Sequence, residues 1–369
     1  MVNKKNRYRE LLIFHPSIEG AGVEKNLFLI SNYLAKKLKR VTVVSADKRT
    51  DKFNKNVNLL TPYFKVNENI GRPIKYFLCL IILLKKCIFN KNDIFLLSFQ
   101  ANIYAIIICY IFGVKIVSRS NSSPSGWSKN YLKRIIFNFF LKKANDIIVN
   151  SSDFQTELDK KFKVRSKLIL NPFDFKQIKK DSKRKINLNF FTKKSLKLVN
   201  VARLTDQKDH LTLLKAIKIA VKKRNIQLII VGRGVFKQEL ENFINKNNLQ
   251  KNIILVGYQK NPFKFINLSD IFVLTSEFEG HPNVLIEAQA LKKYIISSDC
   301  PTGPREILGN GKYGSLFKVR DYKRLSKILI NFKMSKKNKI KTLKGYETLK
   351  IYDHEMNCKK SLDIIFPFL

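Results

Sequence analysis

The sequence predicts an α/β chain of two doubly wound domains, on three observations. Short apolar runs alternate with longer stretches of helical periodicity. The alternation breaks at one polar, basic segment and then starts again. At 369 residues the chain is also too long for one comfortable core.

Taken in order, the first series offers strands at residues 11–14, 41–46, 94–98, 115–118, 147–150 and 167–170. Helical stretches at 23–38, 73–89, 101–112, 129–143 and 153–161 lie between them, which makes βαβ units and a parallel sheet. The segment NPFDFKQIKKDSKRKINLNFFTKK, with Pro172 near its start, has the composition of a connection. Beyond it come strands at 197–201, 227–231, 253–256, 271–275 and 294–298, with helices that include 209–223 and 235–247. The division expected is a first domain over residues 1–172, a second over 173–352, and a C-terminal helix, 353–369, that packs back on the first. Two such domains are expected to face each other across a cleft, with ligands beyond the carboxyl ends of the strands.

Charge is the outlier. Lysine and arginine total 71 against 28 acidic residues, a net charge of +43 with a pI near 10.1. A surface this positive attracts polyanions: nucleic acid, anionic lipid or a phosphorylated substrate. Heavy use of Lys, Asn and Ile by a biased genome accounts for the same excess, and charge speaks to association rather than to fold. Five cysteines, odd in number and without a C-x-x-C pair, point to a reducing compartment, with those in apolar runs packed as small hydrophobes. The four histidines are scattered, and no H-E-x-x-H or Cys/His cluster marks a metal site. The apolar stretch after MVNKKNRYRE is too short for a signal-peptide core and reads as the first strand. YFLCLIILL, residues 76–84, and ANIYAIIICYIFGV, residues 101–114, fall short of the ~20 residues needed to span a bilayer, so they are buried or interfacial helices.

Chemistry-bearing residues cluster just after strands of the second series. LVNVARLTDQKDH sets Arg203 and Lys208 in one loop. A planar guanidinium fork and a compact ammonium together suit a diphosphate, although two solvated loop cations read the same way in a chain this basic. In IIVGRGVFKQEL, Gly232 and Gly234 make a strand-to-helix turn that serves either tight geometry or a phosphate contact. In LVGYQKNPFKF, Gly257 and Tyr258 stand at another strand end, where backbone atoms can meet a flat base.

The stretch TSEFEGHPNVLIEAQA, residues 275–290, says most. Pro282 suits a first helical position, and Val284, Leu285, Ala288 and Leu291 repeat at helical spacing. The amides of Asn283, Val284 and Leu285 then form a seat for phosphate. Gly280 lets the backbone come close, Glu279 can accept hydrogen bonds from sugar hydroxyls, and Glu287, more than one turn in, can accept a pair from ribose. A capped helix with two surface acids is the structural alternative.

These residues carry a family resemblance. EFEGHPNVLIEA resembles the E-x7-E signature of the retaining glycosyltransferases of family 4, and VARLTDQKDH resembles the Arg and Lys phosphate clamp of that family. SSDCPTGPREIL, residues 297–308, resembles the family's next loop in the form found in bacterial hexosyl and hexosaminyl transferases of surface polysaccharide synthesis. EGAGVEKNLFLISNYLA resembles its glycine-rich loop and first helix, and LILNPFD its interdomain boundary, so the likeness runs in order from about Gly20 to Leu308.

The resemblance implies a GT-B fold of two Rossmann-like domains, the first binding the acceptor and the second a nucleotide-sugar donor. It implies Arg203 and Lys208 on the diphosphate, Glu287 on the ribose, Glu279 on the donor sugar with the backbone of the 280s, and Gly22 under the pyrophosphate. Two departures stand out: His281 follows Gly280 where Phe or Leu is usual, and the loop that often supplies a histidine reads VSRSNSSPSG, which leaves Arg119 and Asn121 as the nearest polar candidates. The implied reaction retains anomeric configuration, the acceptor hydroxyl losing its proton to the leaving phosphate. No cofactor is implied, and no metal is needed if Arg203 and Lys208 supply the positive charge.

The DCPTGPREIL loop points to a uridine (UDP) donor. The acceptor is expected to be a lipid-linked glycan of bacterial surface polysaccharide, and the protein cytoplasmic and peripheral at the inner face of the plasma membrane. WSKNYLKRIIFNFFLKKAND places Tyr131, Leu132, Ile135, Ile136, Phe139 and Phe140 on one helical face with Lys129, Lys133, Arg134, Lys142 and Lys143 around it, fit for an anionic bilayer surface or for core packing. The rival readings are a non-hydrolysing sugar-nucleotide epimerase of similar plan and a basic nucleic-acid binder. No RNA or DNA module is recognised and the acids at the cleft oppose a phosphate-backbone groove, so nucleic acid is not an expected partner.

Overall fold

The computed structural model describes residues 9–18, 22–48, 51–63, 70–121, 131–186 and 188–369, with residues 131–133 described for the backbone alone. The chain forms two compact units, Met1–Phe173 with Tyr352–Leu369, and Asp174–Ile351.

The first unit runs β1 (Glu10–Phe14), α1 (Gly22–Lys37), β2 (Val41–Val44), β3 (Val57–Leu60), α2 (Arg72–Asn90), β4 (Ile94–Ser98), α3 (Asn102–Phe112), β5 (Ile116–Ser120), α4 (Tyr131–Leu141), β6 (Asp146–Val149), α5 (Ser152–Phe162) and β7 (Lys167–Leu168). Its strands form one parallel sheet in the order β3-β2-β1-β4-β5-β6-β7. Helices cover both faces, so β1, β2 and β4 are buried along their whole length and read as nearly unbroken apolar runs. Residues of α2, α3, α4 and α5 share one core layer against the sheet, and α1 lies in the other.

The second unit runs α6 (Phe175–Ser182), β8 (Leu196–Val201), a 3-10 turn (Asp206–Lys208), α7 (His210–Ala220), β9 (Ile226–Val231), α8 (Lys237–Lys246), β10 (Ile253–Leu255), α9 (Phe263–Leu268), β11 (Ile271–Leu274), α10 (Asn283–Ala290), β12 (Tyr294–Ser298), α11 (Pro304–Ile307), β13 (Ser315–Phe317), α12 (Tyr322–Asn331) and α13 (Lys336–Glu347). Its parallel sheet has the order β10-β9-β8-β11-β12-β13. The last helix, α14 (His354–Ile365), belongs to the first unit, where Cys358 and Ile365 are buried in the core layer of α1. Both sheets reverse their strand order beside the first strand, between β1 and β4 and between β8 and β11. Such a switch point is where a doubly wound sheet opens a crevice for ligand.

The structure departs from the sequence reading in places. Strands β3 and β13, four and three residues long, were not among the expected ones; edge strands this short and half-exposed carry no periodic signal. The strand expected at 115–118 starts at Ile116 and continues to Ser120, which takes Arg119 off the loop and into the sheet. Pro282 stands at the N-cap of α10 rather than in its first turn. The expected glycine-rich loop at residues 19–21 and the second half of VSRSNSSPSG, residues 122–126, lie outside the described residues, as do the side chains of Tyr131, Leu132 and Lys133 and the whole of Lys129. All five cysteines are free and buried, and no described helix is long and apolar enough to cross a membrane.

Candidate functional site

In the second unit the switch point lies between β8 and β11, and the chain leaving each strand supplies the site. After β8 it turns through Ala202, Arg203 and Leu204. The turn is hydrogen-bonded to the one after β9: Ala202 N to Val231 O at 3.0 Å, Leu204 N to Arg233 O at 2.9 Å and Phe236 N to Leu204 O at 3.2 Å. A side chain at Gly232 would collide with the Ala202 carbonyl, and one at Gly234 with the Leu204 carbonyl. The two glycines thus let the turns approach closely and fix the backbone that carries Arg203. Gly257, just after β10, accepts from Gly232 N at 2.9 Å. Beside it Tyr258 is half-exposed, with the Arg233 guanidinium 5.0 Å from its ring centre.

Lys208 closes the 3-10 turn, and its Nζ lies 2.6 Å from Glu279 Oε1 on the loop after β11. The two side chains are 14% and 8% exposed. Ser276 Oγ donates to the same carboxylate oxygen at 2.7 Å, and Thr302 Oγ1 donates to the Glu279 carbonyl. The two loops are joined along their length: Thr275 Oγ1 donates to Lys208 O at 3.0 Å, Glu277 N to Gln207 O at 2.9 Å and Gln207 Nε2 to Phe278 O at 2.8 Å. Arg203, by contrast, is exposed, and its guanidinium has no hydrogen bond or ion pair among the described residues. One cation is held in place by an acid and the other faces solvent, an arrangement open to an anionic ligand.

Helix α10 begins at Asn283 with no side-chain cap. Leu285 N donates back to Pro282 O at 3.0 Å, so of the three amides expected to seat an anion, Leu285 is already engaged. Asn283 and Val284 are the first two residues of the helix. A Cβ at Gly303, which has φ +86°, would lie 2.5 Å from Gly280 O and from Pro282 Cδ, so the SSDCPTGPREIL loop rests on the Gly280 turn. His281 is buried, and Glu287 is only 2% exposed. The alternative of two surface acids therefore fails: both carboxylates lie in the interior of this unit.

The surrounding groups hold the switch point rigid. Asn200 Nδ2 donates to Val273 O at 2.9 Å, so its Oδ1 is left to accept from His210 Nε2 at 3.1 Å, which assigns that proton to Nε2. Burial, and then the Lys208 charge, lowers the His210 pKa to about 4, which keeps the ring neutral. Burial, and then the Glu279 charge, pushes the Cys300 thiol up to about 12, which makes it a poor nucleophile.

In the first unit, Gly22 opens α1 and is exposed. Asn121 follows β5, its Nδ2 at 3.5 Å from Phe99 O. Arg119 is not an acceptor-loop residue: it is 1% exposed, and its Nη2 donates to Ile169 O, Leu170 O and Asn171 Oδ1 at 3.1, 3.4 and 3.1 Å. It braces the chain leaving β7, and burial lowers its pKa to about 10. The sequence reading missed Ser276, Thr302 and Arg233. It also missed a buried pair, Lys75 Nζ to Asp47 Oδ1 at 2.8 Å, whose other oxygen accepts from Ile18 N at 2.7 Å. A lysine on the buried stripe of α2 was the available signal. Among the described residues no group of three or more His, Cys, Asp or Glu is placed to hold a metal ion.

Residues 181–344 match the family described as Glycosyl transferases group 1. An uncharacterized glycosyltransferase of Methanocaldococcus jannaschii is 40% identical over 199 residues, 52% of this chain and 49% of the relative, so the chain matches about half the length of that protein. The N-acetylgalactosamine-N,N'-diacetylbacillosaminyl-diphospho-undecaprenol 4-alpha-N-acetylgalactosaminyltransferase of Campylobacter jejuni is 30% identical over 265 residues, 67% of this chain and 71% of that protein. Among solved structures, Anabaena HepE in complex with UDP and glucose has a TM-score of 0.79 at 16% identity, over 98% of this chain and 100% of that one. A glycosyltransferase from Rickettsia africae has a TM-score of 0.74 at 17% identity, over 98% and 99%.

Proposed function

The chain belongs to the group 1 glycosyltransferases and has the GT-B fold, and from that premise we propose that it moves a hexose or N-acetylhexosamine from a nucleotide-diphosphate sugar to a hydroxyl of a glycan acceptor. The observation that carries the reading is the exposed Arg203 on the same loop as Lys208, whose ammonium is set against Glu279 at the β8–β11 switch point.

In this reading the second unit takes the donor. Arg203 and Lys208 hold the diphosphate, the head of α10 adds the amide donor of Val284, and Glu279 accepts from the donor sugar. Glu287 takes the ribose, and Tyr258 with Gly257 lies at the base. The bond from the anomeric carbon to the diphosphate oxygen breaks and its electron pair leaves with the nucleoside diphosphate. The two cations and the helix amides stabilise that developing charge. The acceptor hydroxyl bonds to the anomeric carbon on the face being vacated, and its proton passes to the departing phosphate. Configuration is retained, no side chain acts as base, and the two cations carry the charge without a metal.

UDP is the nucleotide we favour, supported by the UDP complex of the Anabaena neighbour. A polyprenyl-linked glycan is the acceptor class we favour, supported by the diphospho-undecaprenol in the name of the Campylobacter relative. In this reading the enzyme works in bacterial surface polysaccharide synthesis, at the inner face of the plasma membrane.

A screen of nucleotide-sugar hydrolysis by the purified protein, with and without added chelator, tests the reading. It predicts release of nucleoside diphosphate from one sugar nucleotide, lowered roughly 100- to 1000-fold by Arg203→Ala and indifferent to chelator. A protein that turns over none of them, or that returns an epimerised sugar nucleotide without an acceptor, is not the enzyme proposed.

A further inference from the structure

We infer that the outer face of α2, α3 and α4 in the first unit is a docking surface for an anionic lipid bilayer. Helix α2 carries two opposed stripes. Lys75, Cys79, Leu83 and Cys87 are buried against the sheet. Ile74, Phe77, Ile81, Leu84 and Ile88 recur at three- and four-residue steps on the other side and are exposed, Phe77 at 64%. That side of a surface helix is ordinarily polar.

The apolar surface continues onto its neighbours. α3 packs beside α2 and exposes Tyr104, Tyr110 and Ile111, and α4 packs beside α3 and exposes Ile135, Ile136 and Phe139. It stops at α5, which lies in the same layer with the sequence SDFQTELDKKF and buries its Phe154, Leu158 and Phe162. A patch spread over three adjacent helices is larger than isolated surface hydrophobes account for.

Charge selects the occupant. Residues 71–145 contain a single acid, Asp93, and it lies outside these helices, 3.6 Å from Arg9. Lys85, Arg134, Lys142 and Lys143 are exposed on or just beyond the three helices. Lys143 Nζ sits 4.9 Å from the ring centres of both Tyr110 and Phe139, its stem along apolar surface and its charge at the margin. Tyrosines and lysines around an apolar face suit the depth of lipid headgroups. A second copy of this chain fits poorly, because it would set lysines against lysines with no acid to answer them. A partner helix could use the heptad-like spacing on α2, but it would leave the faces of α3 and α4 uncovered. The helices would lie along the membrane, since none is long and apolar enough to cross it. The inference deepens the reading of a lipid-linked acceptor and takes its purpose, though not its geometry, from that reading.

The test is flotation of the full chain with vesicles of phosphatidylglycerol and phosphatidylcholine, with phosphatidylcholine alone as reference. Wild type floats with the anionic vesicles and not with the neutral ones. Phe77→Ser with Ile81→Ser and Ile88→Ser lowers the bound fraction at least about tenfold. Arg134→Glu with Lys142→Glu and Lys143→Glu does the same, whereas Lys160→Glu with Lys161→Glu on α5 changes nothing. Circular dichroism confirms the fold of each variant, and Phe77→Ser alone, with a smaller loss, serves if the triple variant is misfolded. Stripe variants that float like wild type overturn the inference, and so does equal flotation on neutral vesicles or a wild-type dimer that the stripe variants dissociate. Donor hydrolysis on the same samples separates the two readings. Hydrolysis without flotation removes the docking face alone, and flotation without hydrolysis removes the glycosyltransferase reading alone.

Discussion

Lys208 and Glu279, 71 residues apart, form a short ion pair of 2.6 Å that is almost closed to solvent, and Ser276 donates to the same carboxylate oxygen. The pair ties the loop after β8 to the loop after β11 at the switch point of the sheet. Removing one partner leaves a buried charge uncompensated. Lys208→Met or Glu279→Leu alone should therefore destabilise the second unit by about 3–5 kcal/mol, with the double variant costing less than the sum. A double-mutant cycle in urea reads the coupling, and strictly additive losses would mean that the pair holds nothing together.

Arg203 differs from Lys208 in being exposed and without a partner among the described residues. Arg203→Ala should leave stability within about 0.5 kcal/mol, as for ordinary surface substitutions. It should lower donor turnover by roughly 100- to 1000-fold, the scale of losing one donor to a developing anion. Arg203→Lys should restore only part of the rate, because an ammonium lacks the planar fork. Thermal melts and initial rates on the same preparations check both halves.

The glycines after β9 have a structural duty that the rate should report. Gly234→Ala drives a methyl into the Leu204 carbonyl, which should destabilise the second unit by about 1–3 kcal/mol. Displacement of the Arg203 turn should also lower turnover beyond the loss of folded protein. A variant with normal rate per folded molecule would show that the turn does not position Arg203.

His210 sets a pH dependence with a definite sign. Its folded pKa is lowered from 6.5 to about 4, chiefly by burial. Between those values the unfolded chain binds the proton and the native chain does not. Stability is full above pH 6.5 and falls as the pH drops toward 4, by about 1.4 kcal/mol per unit. His210→Gln removes that share of the acid sensitivity of the second unit. Urea midpoints against pH for the two proteins check this, and identical slopes would contradict it.

The sequence made the parallel sheets and the loops after β8 and β11 legible, because strands covered on both faces leave apolar runs and the polar residues that matter follow them. It did not show that Glu279 is buried, since the lysine that pairs with it lies 71 positions away and appears in the sequence as one basic residue among many. Arg119 misled because SRSNSS has the composition of a loop, while the strand runs on to Ser120 and buries the guanidinium among backbone carbonyls. Gly232 and Gly234 were open to two readings, and only the positions of the Ala202 and Leu204 carbonyls settle their packing role.

Whether the loop carrying Arg203 and Lys208 grips a nucleoside diphosphate is read out by calorimetric titration with UDP. Saturable binding to wild type is expected, with affinity weakened about tenfold or more in Arg203→Ala. Equal affinity in the two proteins would contradict it.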